Sequence, residues 1–346
     1  MSIDFSPSRF LRNGHVQTVL VAVPLGASRL RGAHVVQDWI ALPDGGELLT
    51  QGVWHEGAPR KTVLLIHGVG GSTESTYMRR SAMAFYQDGA NVVLLNLQGA
   101  GKSVSRAKKL YHAGITEDLR AAVAHFEKDS RVESIRILGF SLGANLALKY
   151  AAELSRTPSL GKVKAVCAVS PPLDLSAGSR LLERTESIPY RAYILSGLIP
   201  AAAKFARLHG SATPYNLRDV LRVRTIRAFD EVVQVPMHKF ADAEDYYARS
   251  SSGPLLGSIR VPTLIVHAED DPVVPSSIVA PWLDGRSPDV HVEWSKHGGH
   301  VGWIDGFSSG AWIRNWANDH ALRFFAEYGC TQPEAEGVTS LDPETA

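Results

Sequence analysis

The sequence predicts an α/β fold: a mostly parallel central sheet flanked by helices and interrupted by a helical insertion. Three observations predict it. Short, largely apolar runs such as TVLLIH (Thr62–His67), VVLLNL (Val92–Leu97) and KVKAVCAVS (Lys162–Ser170) read as strands covered on both faces. Helix-forming stretches alternate with them, the rhythm of strands joined by helical crossovers. That rhythm breaks after Ser170 and resumes only at VPTLIVHA (Val261–Ala268).

Taken in order, HVVQDWIAL (His34–Leu42) and LLTQGVWH (Leu48–His55) are strands joined by a turn at Pro43-Asp44-Gly45-Gly46, an antiparallel start. The Thr62–His67 strand leads to a helix over Thr76–Gln87. Strand Val92–Leu97 precedes a helix over Thr116–Lys128. Strand SIRILGF (Ser134–Phe140) precedes a helix over Leu142–Leu154, and strand Lys162–Ser170 follows. Residues 171–258 are helical and irregular, rich in Arg, Tyr and Ala. Strands Val261–Ala268 and VHVEW (Val290–Trp294) and a last helix near Gly310–Tyr328 complete the pattern. The expected organisation is an N-terminal extension (1–33), a core made of 34–170 and 259–329, a helical lid insertion (171–258) and a loose polar tail (330–346). No internal repeat is visible.

Composition narrows the function classes. The chain has 346 residues, with 36 Lys+Arg against 35 Asp+Glu. No strong overall field recruits nucleic acid or anionic lipid, so nucleic-acid binding is not expected. The two cysteines, Cys167 and Cys330, stand in no metal-ligand or redox spacing. Cys167 lies in an apolar run and reads as a buried core thiol. The first residues lack the basic start and apolar stretch of a secretory signal, and no apolar run is long enough to span a bilayer. A soluble cytoplasmic protein is expected, its oligomeric state left open.

Chemistry gathers at a few places. Gly139-Phe140-Ser141-Leu142-Gly143 matches G-x-S-x-G, a weak signal in a chain with 30 Gly, and Gly306-Phe307-Ser308-Ser309-Gly310 matches it too. Context separates them. Ser141 follows an apolar strand and precedes the helix former LGANLALKYAAEL, the setting of a nucleophile elbow. Ser308 follows no strand and reads as a loop or helix-start serine. Small flanking residues suit a tight, strained turn. The helix start aims N–H groups and a positive dipole end at the reaction centre.

A serine hydroxyl needs a base, and the base needs an orienting carboxylate. Beyond strand Val261–Ala268, Glu269, Asp270 and Asp271 compete for that role, since an acid past a strand's C-terminal end points into the ligand crevice. Glu269 is read as facing solvent. Beyond the next strand, Lys296-His297-Gly298-Gly299-His300-Val301-Gly302 carries the base. His300 is favoured over His297 because Gly299 and Gly302 leave room for the ring to approach Ser141; His67, His112 and His267 are alternatives. The H-x-x-H spacing lacks the Glu of a zinc-protease motif. Leu142 N–H, directly after the nucleophile, is one oxyanion donor. The second is expected from the loop His67-Gly68-Val69-Gly70-Gly71-Ser72. The run Asn96 to Ser103 mimics a phosphate-binding loop, but Asn96 stands where Gly is required and no good helix follows.

With these residues, the chain resembles the α/β-hydrolase superfamily, and more closely its YheT-like branch (AB hydrolase family 4), which includes esterases and acyl-transferring enzymes acting on fatty acyl esters. Asn13-Gly14-His15-Val16-Gln17-Thr18, the His67–Ser72 loop, Thr225–Asp230, Ala241–Tyr247 leading to Ser250-Ser251, and Ala268–Pro275 carry the resemblance, over about residues 10–325. It implies an α/β-hydrolase fold with a helical lid. It also implies Asp271 as the acid, four residues before Pro275 as in D-x-x-V-P-type loops, with Asp270 second. Val69 N–H becomes the second oxyanion donor by the H-G-x placement. Gln98 and Lys102 depart from the usual turn, and Val235-Pro236-Met237-His238-Lys239 departs from the expected run before Tyr246-Tyr247, which leaves substrate shape open. Tyr246 and Tyr247 are read as packed lid aromatics, and His15–Gln17 as a cap on the sheet edge.

The expected function is a serine esterase with triad Ser141, Asp271 and His300, acting on short- to medium-chain acyl esters through an acyl-enzyme, with no metal or organic cofactor implied. The alternatives are an acyltransferase passing the acyl group to an alcohol, and a non-catalytic binding module. A dehalogenase or epoxide hydrolase needs Asp where Ser141 stands.

Overall fold

The structure is a computed structural model and describes residues 5–23, 34–306 and 315–328. Ser308, the expected start of the last helix, Cys330 and the expected tail lie outside the described residues.

A short helix, α1 (Gly14–Ala22), precedes β1 (Val35–Ala41), β2 (Glu47–Val53) and β3 (Arg60–Ile66). Then come α2 (Thr76–Gln87), β4 (Asn91–Asn96), α3 (Glu117–Glu127), β5 (Val132–Phe140), α4 (Leu142–Leu154) and β6 (Val163–Val169). After the insertion follow β7 (Thr263–Ala268), a helix at Ser276–Leu283, β8 (Val290–Ser295) and a last helix at Trp316–Glu327. Among the described residues these strands form one eight-stranded sheet, order β1-β2-β4-β3-β5-β6-β7-β8. β1 pairs antiparallel with β2, and β2 antiparallel with β4; every other pairing is parallel. This is the antiparallel start and parallel body expected from the hairpin signal and the apolar strands.

The apolar strands are uniform because both faces are covered, and their alternation sorts them into two cores. Leu64, Ile66, Val93 and Leu95 pack with α3 and α4 on one face. Val63, Leu65, Val92 and Leu94 pack with α2 and the last helix on the other. Cys167 is fully buried in β6, and burial pushes its thiol pKa up.

Between β6 and β7 the chain is helical: α5 (Leu175–Leu182), α6 (Ile188–His209), α7 (Leu217–Arg222), α8 (Ile226–Phe229), a π-helical turn at Asp230–Gln234, α9 (Val235–His238) and α10 (Ala243–Ser250). These segments build their own apolar cluster, with Ile194, Leu198, Phe205, Val220 and Phe229 closing on Val104 and Leu110 from the loop after β4. In that loop Ser103 is buried and its hydroxyl donates to Leu97 O and Ala100 O at 2.8 and 2.7 Å. The hydroxyl is consumed by the turn, so the phosphate-loop look of this segment is superficial.

The N-terminal motif does not cap a sheet edge. Asn13 caps α1 by accepting the N–H groups of His15 and Val16. The helix lies on the loop bearing His300, where Gln17 is fully buried, donating to Leu11 O and Ile304 O and accepting from Ile304 N–H. With α11 (Ser276–Leu283) and α12 (Trp316–Glu327) the helices run α1 to α12 in chain order among the described residues.

Candidate active site

Ser141 occupies the turn between β5 and α4 at φ 52°, ψ −117°, a conformation that costs a non-glycine residue on the order of 1–3 kcal/mol and persists only where packing enforces it. The neighbours supply that packing. A Cβ on Gly139 would lie 2.2 Å from Gly143 O, and one on Gly143 would lie 2.4 Å from Ile66 O. The two flanking glycines therefore let α4 start hard against β3 and β5, which lifts the serine hydroxyl clear at the end of the sheet.

β7 and β8 bring the other groups to the same end. His300 Nε2 lies 2.9 Å from Ser141 Oγ, and His300 Nδ1 lies 2.9 Å from Asp271 Oδ2. With Nδ1–H donating to the carboxylate, Nε2 is free to accept the serine proton. The Asp271 side chain is fully buried, and its Oδ1 accepts the N–H groups of Val273 and Val274, both at 2.8 Å. Burial pushes its carboxyl up, but His300, His267 and the Val274 amide outweigh this and hold it below the ordinary value. A buried carboxylate kept ionised beside an imidazole stabilises the imidazolium when it forms.

The competing residues sit elsewhere. Glu269 is exposed. Asp270 accepts the Gly299 N–H at 2.8 Å and lies 3.5 Å from His297 Nδ1, so that pair braces the loop from outside. His67 is buried, accepts Leu97 N–H at 3.3 Å, and burial lowers its pKa to about 4, which keeps it neutral. His267 is buried behind Asp271, against Val274 O at 2.9 Å. His112 packs on His238, ring centroids 4.3 Å apart. None of these is hydrogen-bonded to Ser141. Among the described residues no cluster of three or more His, Cys, Asp or Glu is arranged to hold a metal ion.

In the loop after β3, Gly68 N–H donates to Tyr77 Oη and Gly70 N–H to Tyr111 Oη, both at 2.8 Å. Burial raises both phenols, Tyr77 to about 12, so both stay protonated. The Val69 N–H between them has no hydrogen-bond partner among the described residues, and neither has the Leu142 N–H at the start of α4. Val69 and Leu142 line the same cavity as Ser141 and His300. Two unpaired N–H groups beside a serine hydroxyl are a donor arrangement that could hold an oxyanion.

That cavity measures about 720 Å³. Val21, Leu175, Leu182, Ile194, Leu198 and Tyr193 give it an apolar wall, drawn from α1 and the insertion. The insertion reaches the loop after β3 through a glycine contact: a Cβ on Gly197 of α6 would lie 2.5 Å from Gly70 O. Tyr246 and Tyr247 are buried and also line the cavity; Tyr246 Oη accepts Ala113 N–H at 2.9 Å, and Tyr247 Oη donates to Asp230 at 2.7 Å. They are packed aromatics with polar duties, which the motif alone did not reveal.

Sequence reasoning missed the support of the histidine loop. Thr18 Oγ1 accepts the His300 N–H at 2.8 Å, and Ser170 Oγ accepts the Val301 N–H at 3.3 Å. Gly299 and Gly302 make room for α1 and not for the imidazole: a Cβ on Gly299 would lie 2.2 Å from Gly14 O, and one on Gly302 would lie 2.9 Å from Gln17 Cβ. The Asn13–Thr18 motif was the available signal.

The family model described as alpha/beta hydrolase fold matches residues 61–307. The Escherichia coli protein YheT, named as a candidate esterase, is 33% identical over 88% of this chain and 88% of its own length. A monoacylglycerol lipase of Saccharomyces cerevisiae is 30% identical over 81% of this chain and 64% of its own. Among solved structures, the Pyrococcus furiosus esterase Pf2001 shares the fold, with TM-score 0.56 at 17% identity over 86% of this chain and 93% of that one. The chain belongs to the α/β-hydrolase superfamily, in its YheT-like branch.

Proposed function

We propose that the protein is a serine-nucleophile carboxylic ester hydrolase acting on short- to medium-chain acyl esters through an acyl-enzyme. The observation that carries this is the unbroken chain of hydrogen bonds from Ser141 through His300 to Asp271, opening on an apolar cavity. The names of the bacterial and yeast relatives support esterase or lipase chemistry.

In this reading Ser141 Oγ attacks the ester carbonyl while His300 Nε2 takes its proton. The carbonyl oxygen becomes an oxyanion held by Val69 and Leu142 N–H. His300 returns the proton to the leaving alcohol, and the acyl group stays on Ser141. Water then repeats the sequence and releases the acid. Asp271 keeps the imidazole in the required tautomer throughout. The chemistry needs no metal or organic cofactor, and residues 171–258 act as the lid that shapes the acyl pocket.

The test is Ser141→Ala, read with p-nitrophenyl butyrate and a fluorophosphonate probe. Turnover is expected to fall by roughly three orders of magnitude or more, with labelling abolished and the melting temperature preserved. Retention of most of the turnover refutes the assignment.

A further inference from the structure

The exposed apolar side chains are not scattered. Among the described residues, and Val35 apart, the large ones gather on two adjoining pieces of chain. Phe10, Val16 and Val19 lie on or just before α1, with Phe10 87% exposed and Val19 57%. Ile188, Tyr193 and Leu208 lie on α6, and Leu221 on α7, with Tyr193 64% exposed and Leu208 53%. The two pieces meet at the cavity mouth. The His15 ring is hydrogen-bonded to and stacked on Tyr190 of α6, and Val19 and Tyr193 both line the cavity.

The outer face of α6 is unusual for a helix in water. Its inner face buries Ile194, Leu195, Leu198 and Phe205. Its exposed residues are Ile188, Pro189, Ala192, Tyr193, Pro200 and Leu208, with Ser196 among them and the cations Lys204 and Arg207 near one end. A helix facing bulk water ordinarily presents polar residues there. Residues 188–218 contain no Asp or Glu. Widened to 183–224, the stretch has seven Lys or Arg against the three carboxylates Glu183, Glu186 and Asp219. The chain as a whole is balanced in charge, so this excess is local. Apolar side chains among an excess of cations over acids match the interface of an anionic bilayer, where the apolar groups enter the headgroup boundary and the cations meet lipid phosphates. A second copy of this chain is disfavoured at the same face, since two such cationic surfaces repel.

We propose that the outer face of α6, together with the exposed side of α1, docks the protein on an anionic lipid bilayer with the cavity mouth turned towards the membrane. The inner face of the same helix rests on the oxyanion loop at the Gly197–Gly70 contact, so the docked surface and the reaction centre share one element. Among the described residues no helix is long and apolar enough to cross a membrane; the contact is peripheral. What docking serves, the delivery of acyl chains, rests on the ester-hydrolase reading; the docking itself does not.

The experiment is sedimentation of the full chain with vesicles of phosphatidylcholine alone or mixed equally with phosphatidylglycerol. At low salt the bound fraction on the mixed vesicles is expected to correspond to roughly ten-fold or tighter binding than on phosphatidylcholine, weakening as salt screens the charges. Ile188→Asp with Leu208→Asp should weaken binding to the mixed vesicles by roughly ten-fold or more. Lys204→Glu with Arg207→Glu should abolish the preference for anionic lipid. All four side chains are exposed; if the aspartate pair unfolds, the charge-reversal pair carries the test. Absence of binding to the mixed vesicles, binding that both pairs leave unchanged, or self-association through these residues without vesicle binding overturns the proposal. Sedimentation is read without turnover, so its failure leaves the ester-hydrolase reading intact, whereas unchanged turnover in Ser141→Ala removes that reading alone.

Discussion

Replacing Thr18 by valine isolates a brace of the histidine loop that touches neither Ser141 nor Asp271 through a hydrogen bond. The His300 N–H donates to Thr18 Oγ1 at 2.8 Å, and the Thr18 hydroxyl donates to Gly14 O at 2.7 Å. Valine keeps the branched shape, so α1 and its packing on Gly299 are retained while the acceptor vanishes. A part-buried backbone N–H without a partner costs about 1–2 kcal/mol. In a chain of this size that lowers the melting temperature by about 2 °C. The orphaned group belongs to the residue read as the base, so the loop relieves it by rotating the N–H towards water and taking the imidazole with it. At 1.36 kcal/mol per decade the same energy corresponds to a roughly five- to thirty-fold fall in kcat, with KM changing less. Steady-state hydrolysis of p-nitrophenyl butyrate and a thermal melt read both quantities on one preparation. A kcat within about two-fold of wild type, with the melt lowered as expected, refutes the reasoning: Asp271 alone would then orient the ring.

Gly143→Ala sets a methyl group 2.4 Å from Ile66 O and 2.6 Å from His67 O, both backbone. Overpacking there is expected to cost about 3 kcal/mol and to displace the Leu142 N–H, lowering turnover more than about ten-fold; a neutral alanine removes the steric account of the elbow. Asp118 is buried with Oδ1 unpartnered, and burial raises its pKa to about 7. Its folded value exceeds the unfolded one, so from about pH 4 to pH 7 the native state holds a proton the unfolded chain has lost, and stability falls across that window by an order of 4 kcal/mol. Asp118→Asn should therefore gain stability over wild type as pH rises from 5 to 8 in paired melts, and a constant difference contradicts the shifted carboxyl. Ethanol added to the ester assay distinguishes water from an alcohol as acyl acceptor: chromatography should find mainly free acid, and predominance of ethyl ester identifies an acyltransferase.

Much of the fold was legible because burial on both faces leaves strands such as Val92–Leu97 almost wholly apolar, and because Pro43–Gly46 reads as a turn between two strand-like runs. Gly139 and Gly143 were legible for the same reason: a strained turn tolerates nothing larger, so steric necessity is written directly into residue identity. Long-range pairings were not. Nothing local in Asn13–Thr18 says that it lies on a loop near residue 300, and Gly299 and Gly302 advertise space without saying whose. The Tyr77 and Tyr111 hydroxyls that occupy the Gly68 and Gly70 amides come from separate stretches of chain, so which amide stays free is decided only once those stretches meet. The sequence by itself determined the order of strands and helices and the residue types at the turns, because these obey local sterics and the period of burial. The tertiary structure alone decided that α1 braces the loop bearing His300, and where the exposed side chains of α1 and α6 collect, because those are distances between segments that the chain order leaves free.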